Sequence, residues 1–253
     1  MHALIVLAHP ESRSFNAALK DVAVETLEGQ GNEVEVSDLY AMGFDPVEHP
    51  HHFAKPHDAK RFSAQTEQCH AWDAGTTSPD VAAEIDKLEW ADLLILQYPM
   101  WWYGVPAILK GWLDRVLVYG GLYTSRMRYD AGYFAGRRAM LSVTTGGMAE
   151  TFAHNGRNAD IDLLLWPTTF PLAYMGYAVL PHFTACGVEG GIRYSDASEI
   201  PARLEGYKDG LRRRLLTLDK TEPMKFNGWD DWDESGRLKP GVEGHSPFMR
   251  AEP

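Results

Sequence analysis

The stretch of sequence that decides the fold runs from Leu93 to Val116 and reads LLILQYPMWWYGVPAILKGWLDRV. It opens with a continuous apolar run of the kind found in strands that are buried on both faces. From Val105 the apolar residues recur at helical spacing, and Pro106 is tolerated in a first helical turn. The loop between these two elements holds Trp101-Trp102-Tyr103, with a proline on either side. Core packing explains three adjacent aromatics poorly, because neighbouring side chains of an extended segment point in opposite directions. We therefore interpret this loop as the lining of a site for a flat ligand.

Strands and helices alternate along the rest of the chain. Apolar or alternating runs predict strands over 3–8, 33–39, 93–97, 138–144 and 178–185. Helical periodicity and start signals predict helices over 14–30, 80–90, 105–118 and 201–218. Such alternation is typical of parallel strand pairing, so we predict an α/β fold with a doubly wound parallel sheet of five strands.

Two regions fit this scheme poorly. Residues 41–79 are polar and rich in His, Pro and Gly, and a loop of that length is more often functional than idle. Residues 220–253 carry Trp229 and Trp232 between several Pro and Gly residues. We predict a main domain over 1–219 and an extended C-terminal tail over 220–253.

Composition narrows the classes of partner. The chain has 253 residues and a formal net charge of −11, which argues against nucleic acid or an anionic membrane as the main partner. No segment approaches the roughly 20 apolar residues that span a bilayer. Cys69 and Cys186 are the only cysteines, which favours a reducing, cytoplasmic compartment without a disulfide framework. Because there is no CxxC pair, we expect no metal site.

Three polar or glycine-rich clusters follow predicted strands. They are His9 to Asn16, Pro99 to Gly104 and Thr144 to Gly147. In a doubly wound sheet, ligands bind beyond the carboxyl ends of the strands, so we expect the three clusters to meet there. Ser14 is a good helix cap whose following N–H groups can hold a phosphate, and the two glycines let backbone donors approach a ligand. Ordinary helix capping and an ordinary tight turn explain the first and third clusters equally well, and a GxGxxG turn is absent.

Several runs of residues then resemble one family, the flavodoxin-like NAD(P)H:quinone oxidoreductases of the DT-diaphorase group. The resemblance extends from Ala3 to about Leu216. It is densest in residues 3–9, 14–16, 37–42, 105–112 and 141–147, and residues 165–167 also match. Because several runs match in the right order, the resemblance is specific.

The resemblance implies a flavodoxin-like sheet in the order 2-1-3-4-5 and a FAD-binding catalytic domain over 1–219. It also implies a homodimer with its active site at the interface, and one FAD per subunit rather than FMN. NADH or NADPH delivers a hydride to flavin N5 and leaves. A quinone-like acceptor then takes the same place, in a ping-pong sequence.

Carried over by position, the resemblance assigns site residues. Those that hold the cofactor are His9, Ser14, Phe15, Asn16, Pro99, Met100, Trp101, Trp102, Tyr103, Thr144, Thr145, Gly146 and Gly147. Those that face the substrate are Trp102, Tyr103, Tyr123 and Phe152. The backbone N–H groups of Gly146 and Gly147 lie at the pyrimidine edge of the ring, where they stabilise developing negative charge.

The chain departs from the family on the substrate side. The family carries a Tyr and a His after the double glycine, where this chain has Phe152 and Asn158. Phe152 cannot donate a hydrogen bond, and Asn158 can donate one but cannot take up a proton. His154 lies nearby and is a candidate replacement, although the residue pattern favours a solvated loop histidine, since nothing in its spacing fixes it. We therefore count Gly146, Gly147, Asn158 and His154 as the candidate catalytic residues.

Two other functions stay open. One is a sibling enzyme, an FMN- or FAD-dependent reductase of azo, nitro or chromate compounds, although FMN leaves the segment 41–79 without a purpose. The other is a flavodoxin-like binding protein without catalysis, which the loss of the Tyr and His pair favours. The choice between NADH and NADPH, the natural acceptor and the role of Trp229 and Trp232 do not follow from the sequence.

Overall fold

A computed structural model describes residues 1–189, 196–246 and 249 of the chain. At its centre lies a parallel sheet in the order β2-β1-β3-β4-β5, with β6 also paired to β4. The strands are β1 His2–Leu7, β2 Glu33–Asp38, β3 Leu93–Pro99, β4 Arg138–Thr144, β5 Ala178–Val179 and β6 Phe183–Ala185. The helices are α1 Phe15–Gly29, α2 Ala64–Asp73, α3 Pro79–Trp90, α4 Ala107–Val116, α5 Ile161–Tyr174 and α6 Ile200–Leu216. The predicted flavodoxin-like order 2-1-3-4-5 is confirmed.

The sheet is covered on both faces, and β1 shows why. Its side chains alternate, so that Leu4 and Val6 belong to one core and Ala3 and Ile5 belong to the other. The first core includes side chains of α3, α4 and α5, and the second includes side chains of α1 and α6. Each fully buried Leu or Ile stabilises the fold by roughly 1.5–3 kcal/mol, which accounts for the uninterrupted apolar runs of the central strands.

The fifth predicted strand is divided in two. The sequence predicts one strand over 178–185, whereas β5 and β6 are short strands separated by Leu180 to His182. Pro181 has no N–H group to donate, so the ladder cannot run through it. Both pieces still pair with β4, Ala178 opposite Arg138 and Phe183 opposite Ser142.

Two helices escape the sequence analysis. The segment 41–79 is not one long loop, since it contains α2 and a 3₁₀ turn over Pro50–His52. Helix α5 carries Pro167 and Pro171 in its interior. Proline usually breaks a helix because it removes a backbone donor and crowds the preceding turn. Helix α5 also lacks the polar face by which an amphipathic helix is predicted.

The described residues after position 219 pack against the rest of the chain. The backbone N–H of Met224 donates to the carbonyl of Val179 at 2.8 Å, which continues the edge of the sheet. The ring of Phe226 stacks on Trp166 with centroids 5.6 Å apart. Residues 247, 248 and 250–253 of the predicted extension lie outside the described residues. Within the described ranges, no helix combines the length and the apolar character that a bilayer crossing requires.

Helix α4 packs closely against the segment that follows β2. A Cβ atom added at Gly111 would lie 2.0 Å from the carbonyl oxygen of Pro46, far inside contact distance. Only glycine therefore allows the two backbones to approach in this way. The fit matters for the site, because α4 begins three residues after the aromatic loop ends at Gly104.

We predict that Gly111→Ala lowers the free energy of unfolding by about 1–3 kcal/mol through overpacking. Alanine is the better helix former by about 1 kcal/mol, so propensity alone predicts the opposite sign. The matched control is Gly206→Ala in α6, where an added Cβ meets nothing within 4 Å. That change should raise the free energy of unfolding by roughly 0.4–1 kcal/mol. Urea unfolding of both variants measures the difference, and a stabilised Gly111→Ala protein would contradict the packing described.

Candidate active site

Two buried hydrogen bonds join the ends of the central strands. The Gln97 amide of β3 donates to the Asn16 side-chain oxygen at 2.8 Å, and the Asn16 amide donates to the Thr144 hydroxyl of β4 at 2.9 Å. The backbone N–H of Met100 donates to the Thr144 carbonyl at 2.8 Å. The ring of His9, after β1, lies 6.0 Å from that of Trp101. The structure thus brings together the three clusters that the sequence predicts to meet.

The loops after β3 and β4, together with Phe152, form an open cleft of about 540 Å³. It is lined by Met100, Trp101, Trp102, Tyr103, Thr145, Gly146 and Phe152. These lining side chains carry no ionisable group other than the Tyr103 phenol. Such a cleft suits a flat, largely apolar ligand that is oriented by a few backbone donors.

The aromatic loop is a tight and strained turn. Trp101 and Gly104 exchange two backbone hydrogen bonds, each 3.0 Å long. Trp102 and Tyr103, between them, adopt left-handed φ angles of 50° and 62°. Turns of this form usually carry Asn-Gly, since a residue with a Cβ atom costs about 1–2 kcal/mol there. In this turn Trp102 is 97 % exposed at the edge of the cleft, so its side chain is almost entirely in contact with solvent. Strain of this kind is concentrated at functional sites.

The start of α1 offers donors for an anion. Ser14 caps the helix and accepts from the Ala17 N–H at 3.2 Å. The N–H groups of Phe15 and Asn16 have no acceptor within the helix, as is general for a first turn. His9 Nδ1 accepts from the Glu11 N–H at 3.0 Å, so a neutral His9 carries its proton on Nε2, where it can be donated.

Two residues of this cluster serve the fold through their side chains. The Asn16 side chain is buried and bonded to Gln97 and Thr144, so only its backbone N–H is left for a ligand. Phe15 packs against the core beneath α1. Asn16 can therefore contact a cofactor only through its backbone. Phe15 can do so through its backbone or through the exposed part of its ring.

The loop after β4 is held by its neighbours. The Thr145 N–H donates to Ala185 O at 2.9 Å, and the Thr145 hydroxyl donates to Gly147 O at 2.9 Å. Gly146 has no atom within 4 Å of an added Cβ, so its backbone faces open space. At Gly147 the same added atom would lie about 3 Å from the side chains of Phe152, Asn158 and Thr151. The lack of a side chain at Gly146 therefore leaves room for a ligand. At Gly147 it leaves room for the loop that contains Thr151, Phe152 and Asn158 to pack.

That next loop contains the residues that depart from the family pattern. Phe152 is 7 % exposed and lines the cleft. The Asn158 side chain donates to the Thr151 hydroxyl at 2.9 Å, so it holds its own loop together. His154 is not among the residues that line the cleft. Its side chain is 97 % exposed and lies 3.6 Å from Asp160. The structure gives His154 no contact through which it could replace the family's histidine.

Tyr123 lies in a neighbouring cavity. This apolar cavity of about 600 Å³ runs along α4 and α5 and shares Tyr103 with the cleft. Burial raises the pKa of Tyr123 above its ordinary value, and a hydrogen bond with Gln65 lowers it in part. The α5 side of the cavity, which includes Leu164, Pro167 and Phe170, was missed by the sequence analysis. Residues 165–167, which match the resembled family, were the sequence signal that could have revealed this side of the cavity.

Comparison with known proteins identifies the family to which the chain belongs. The sequence profile of the flavodoxin-like fold family matches residues 1–211, so the chain belongs to that family. Over 226 residues it is 42% identical to NAD(P)H dehydrogenase (quinone) 1 of Rattus norvegicus, covering 88% of this chain and 80% of the relative. It is 39% identical over 225 residues to ribosyldihydronicotinamide dehydrogenase (quinone) of Homo sapiens, covering 87% and 93%.

The fold of one solved structure matches this chain along almost its whole length. A Klebsiella pneumoniae protein, described as a candidate quinone reductase, superposes with a TM-score of 0.86 at 38% identity. The match covers 96% of this chain and 97% of that one. The resemblance to the NAD(P)H:quinone oxidoreductases is therefore confirmed, and with it the prediction that the chain is an enzyme, an oxidoreductase.

We predict that Trp102→Gly stabilises the flavin-free protein and weakens flavin binding. Glycine relieves the left-handed strain, which should raise the free energy of unfolding by about 1 kcal/mol. Loss of the indole removes stacking surface, which should reduce the affinity for added flavin about tenfold. Trp102→Ala is the control, because it removes the same ring but keeps the strain. It should lose affinity without the gain in stability. Unchanged affinity in both variants would show that Trp102 does not contact the ligand.

Proposed function

We propose that this chain binds FAD and reduces quinones by two electrons, with NADH or NADPH as the hydride donor. The observation that carries the proposal is one open, aromatic-lined cleft formed by the loops after β3 and β4, with the loop after β1 joined to them through Asn16 and His9. The kinship with dehydrogenases named for quinones supports it. When bound, the flavin supplies the chemistry of accepting and passing on a hydride, and the protein supplies position and electrostatics.

The residues present fit such a cofactor. Ser14 and the first N–H groups of α1 provide a site for its phosphates, and His9, in the loop that leads to α1, lies 6.0 Å from the ring of Trp101. The turn from Trp101 to Gly104 offers an exposed flat surface for the ring system. The Gly146 backbone, open towards solvent, offers a donor for the edge of the ring where negative charge develops.

Proton supply distinguishes this site from the family pattern. Phe152 has no hydroxyl, and Asn158 is engaged with Thr151 and does not take up protons. Among the lining residues of the cleft, the hydroxyl groups belong to Tyr103 and Thr145. Since the cleft is open and Tyr103 is half exposed, we propose that the quinone oxygens receive their protons from water, with no histidine relay.

The order of events and the assembly are further parts of the proposal. One cleft serves donor and acceptor in turn, which gives ping-pong kinetics. We propose a homodimer in which the apolar cavity beside Tyr103 faces the partner and Tyr123 borders the shared site. Both cysteines, Cys69 and Cys186, are free, which supports a reducing, cytoplasmic setting.

A second candidate function follows from the character of the cleft. The lining residues carry no charged group that would select a quinone over another flat acceptor. An azo or nitro compound therefore meets the same surface. The kinship with a ribosyldihydronicotinamide dehydrogenase makes a smaller nicotinamide donor a further alternative to NADH and NADPH.

The test separates the two half-reactions. Mixing the purified flavoprotein without oxygen with NADH, NADPH or dihydronicotinamide riboside should bleach the visible flavin band. Adding a quinone should restore it, and faster than an azo or nitro acceptor does. The mass of the flavin released by acid distinguishes FAD from FMN. If no donor bleaches the flavin, the chain is a binding protein and the proposed activity is wrong.

A further inference from the structure

A second cluster of chemically active side chains lies outside the cleft, after β2. The Asp45 carboxylate oxygen Oδ2 lies 3.4 Å from Nε2 of His51 and 3.4 Å from Nε2 of His52. The three atoms lie within 4.8 Å of one another. Two local features fix the arrangement. The Val47 N–H donates to Asp45 Oδ1 at 3.0 Å, and the 3₁₀ turn Pro50–His52 presents adjacent histidines.

The distances suit a shared cation better than direct hydrogen bonds. Hydrogen bonds between nitrogen and oxygen are usually 2.7–3.2 Å long, and these two contacts are longer. Two ligands that each lie about 2.0–2.1 Å from a tetrahedral zinc ion are about 3.4 Å apart. Asp45 Oδ2 stands at that separation from both imidazole nitrogens.

The position of one proton strengthens this argument. His49 Nδ1 accepts a hydrogen bond from the backbone N–H of His51 at 3.2 Å, so it presents a lone pair. His51 Nδ1 lies 2.7 Å from the same nitrogen and must therefore carry the hydrogen between them. A neutral His51 then has a bare lone pair on Nε2, facing the Asp45 carboxylate. Two acceptors that face each other in this way form a pair that a cation between them would stabilise.

His49 thus acts as a positioning residue. A metal-binding histidine usually donates its other ring N–H to a neighbour, which fixes the tautomer and the ring orientation. His51 makes that contact with His49. His52 Nε2 lies 3.0 Å from the Val47 carbonyl oxygen, which accepts a hydrogen bond from it when no cation is bound. Binding moves that proton to Nδ1, so the cation replaces one hydrogen bond of His52.

We propose that Asp45, His51 and His52 bind one divalent transition-metal ion, most favourably Zn²⁺, with water completing the coordination. Two imidazoles and one carboxylate favour zinc over the oxygen-seeking Mg²⁺ and Ca²⁺. The His51 side chain is more than half exposed, so the ion has an open route from solvent and room for water. The Arg115 guanidinium, which donates to Asp45 O at 2.7 Å, opposes the ion, but its charge is paired with Asp80.

The ion would hold residues 45–52 in one conformation, and this segment packs on α4. Pro46, next to Asp45, contacts Gly111 of that helix, and Arg115 belongs to the same helix. The cation would therefore fasten the segment 45–52 against the helix that follows the aromatic turn. It lies outside the cleft lining and takes no part in the hydride step.

The test uses the full-length protein with its flavin, stripped of metal by a chelator. Calorimetric titration with Zn²⁺ should show saturable binding of one ion per chain. Co²⁺ in its place should give the intense visible bands of a tetrahedral site that contains nitrogen ligands. His51→Ala, His52→Ala and Asp45→Asn should each weaken Zn²⁺ binding by about 100-fold or more, and His49→Ala by roughly 10–100-fold.

The matched control is His57→Ala, which removes a histidine of the segment 41–79 that does not belong to the triad of Asp45, His51 and His52. It should bind Zn²⁺ as the unaltered chain does. Far-UV circular dichroism and flavin content verify that each variant is folded. The proposal is overturned if the unaltered chain binds no Zn²⁺, if the triad variants bind it equally well, or if His57→Ala loses as much affinity.

Discussion

Two buried hydrogen bonds, from Gln97 to Asn16 and from Asn16 to Thr144, hold the site together. They connect the end of β3, the start of α1 and the end of β4, and all three residues are almost completely buried. An unpaired polar group at such a place costs about 1–3 kcal/mol, so each bond constrains the others. The loops that surround the cleft start from these anchored positions, and the strain at Trp102 and Tyr103 is sustained by the rigid strand ends beneath them.

Much of the fold follows from the sequence because buried strands carry an unmistakable pattern. β1, β3 and β4 are apolar on both faces, which by itself requires helices above and below a parallel sheet. The missed elements lack such a pattern. Helix α5 contains Pro167 and Pro171, and tertiary packing overrides their tendency to break a helix. Pro181 interrupts the last strand, although the residues on both sides of it still pair with β4.

The site could be predicted to the level of loops but not to the level of side chains. Asn16 falls in the predicted cluster, yet its side chain stabilises the fold, and His154 lies exposed beside Asp160. Left-handed angles at Trp102 carry no sequence signal, because glycine or asparagine usually marks such turns. A search for paired cysteines did not single out the grouping of Asp45, His51 and His52, since histidines and carboxylates follow no comparable spacing rule.

The central claim is that the loops after β1, β3 and β4 form one binding site for a flavin ring. Titration of the flavin-free, folded chain with FAD, followed through quenching of tryptophan fluorescence, tests it most directly, because Trp101 and Trp102 both line the cleft. We expect quenching that saturates at one flavin per chain. A folded chain that takes up neither FAD nor FMN would contradict the account.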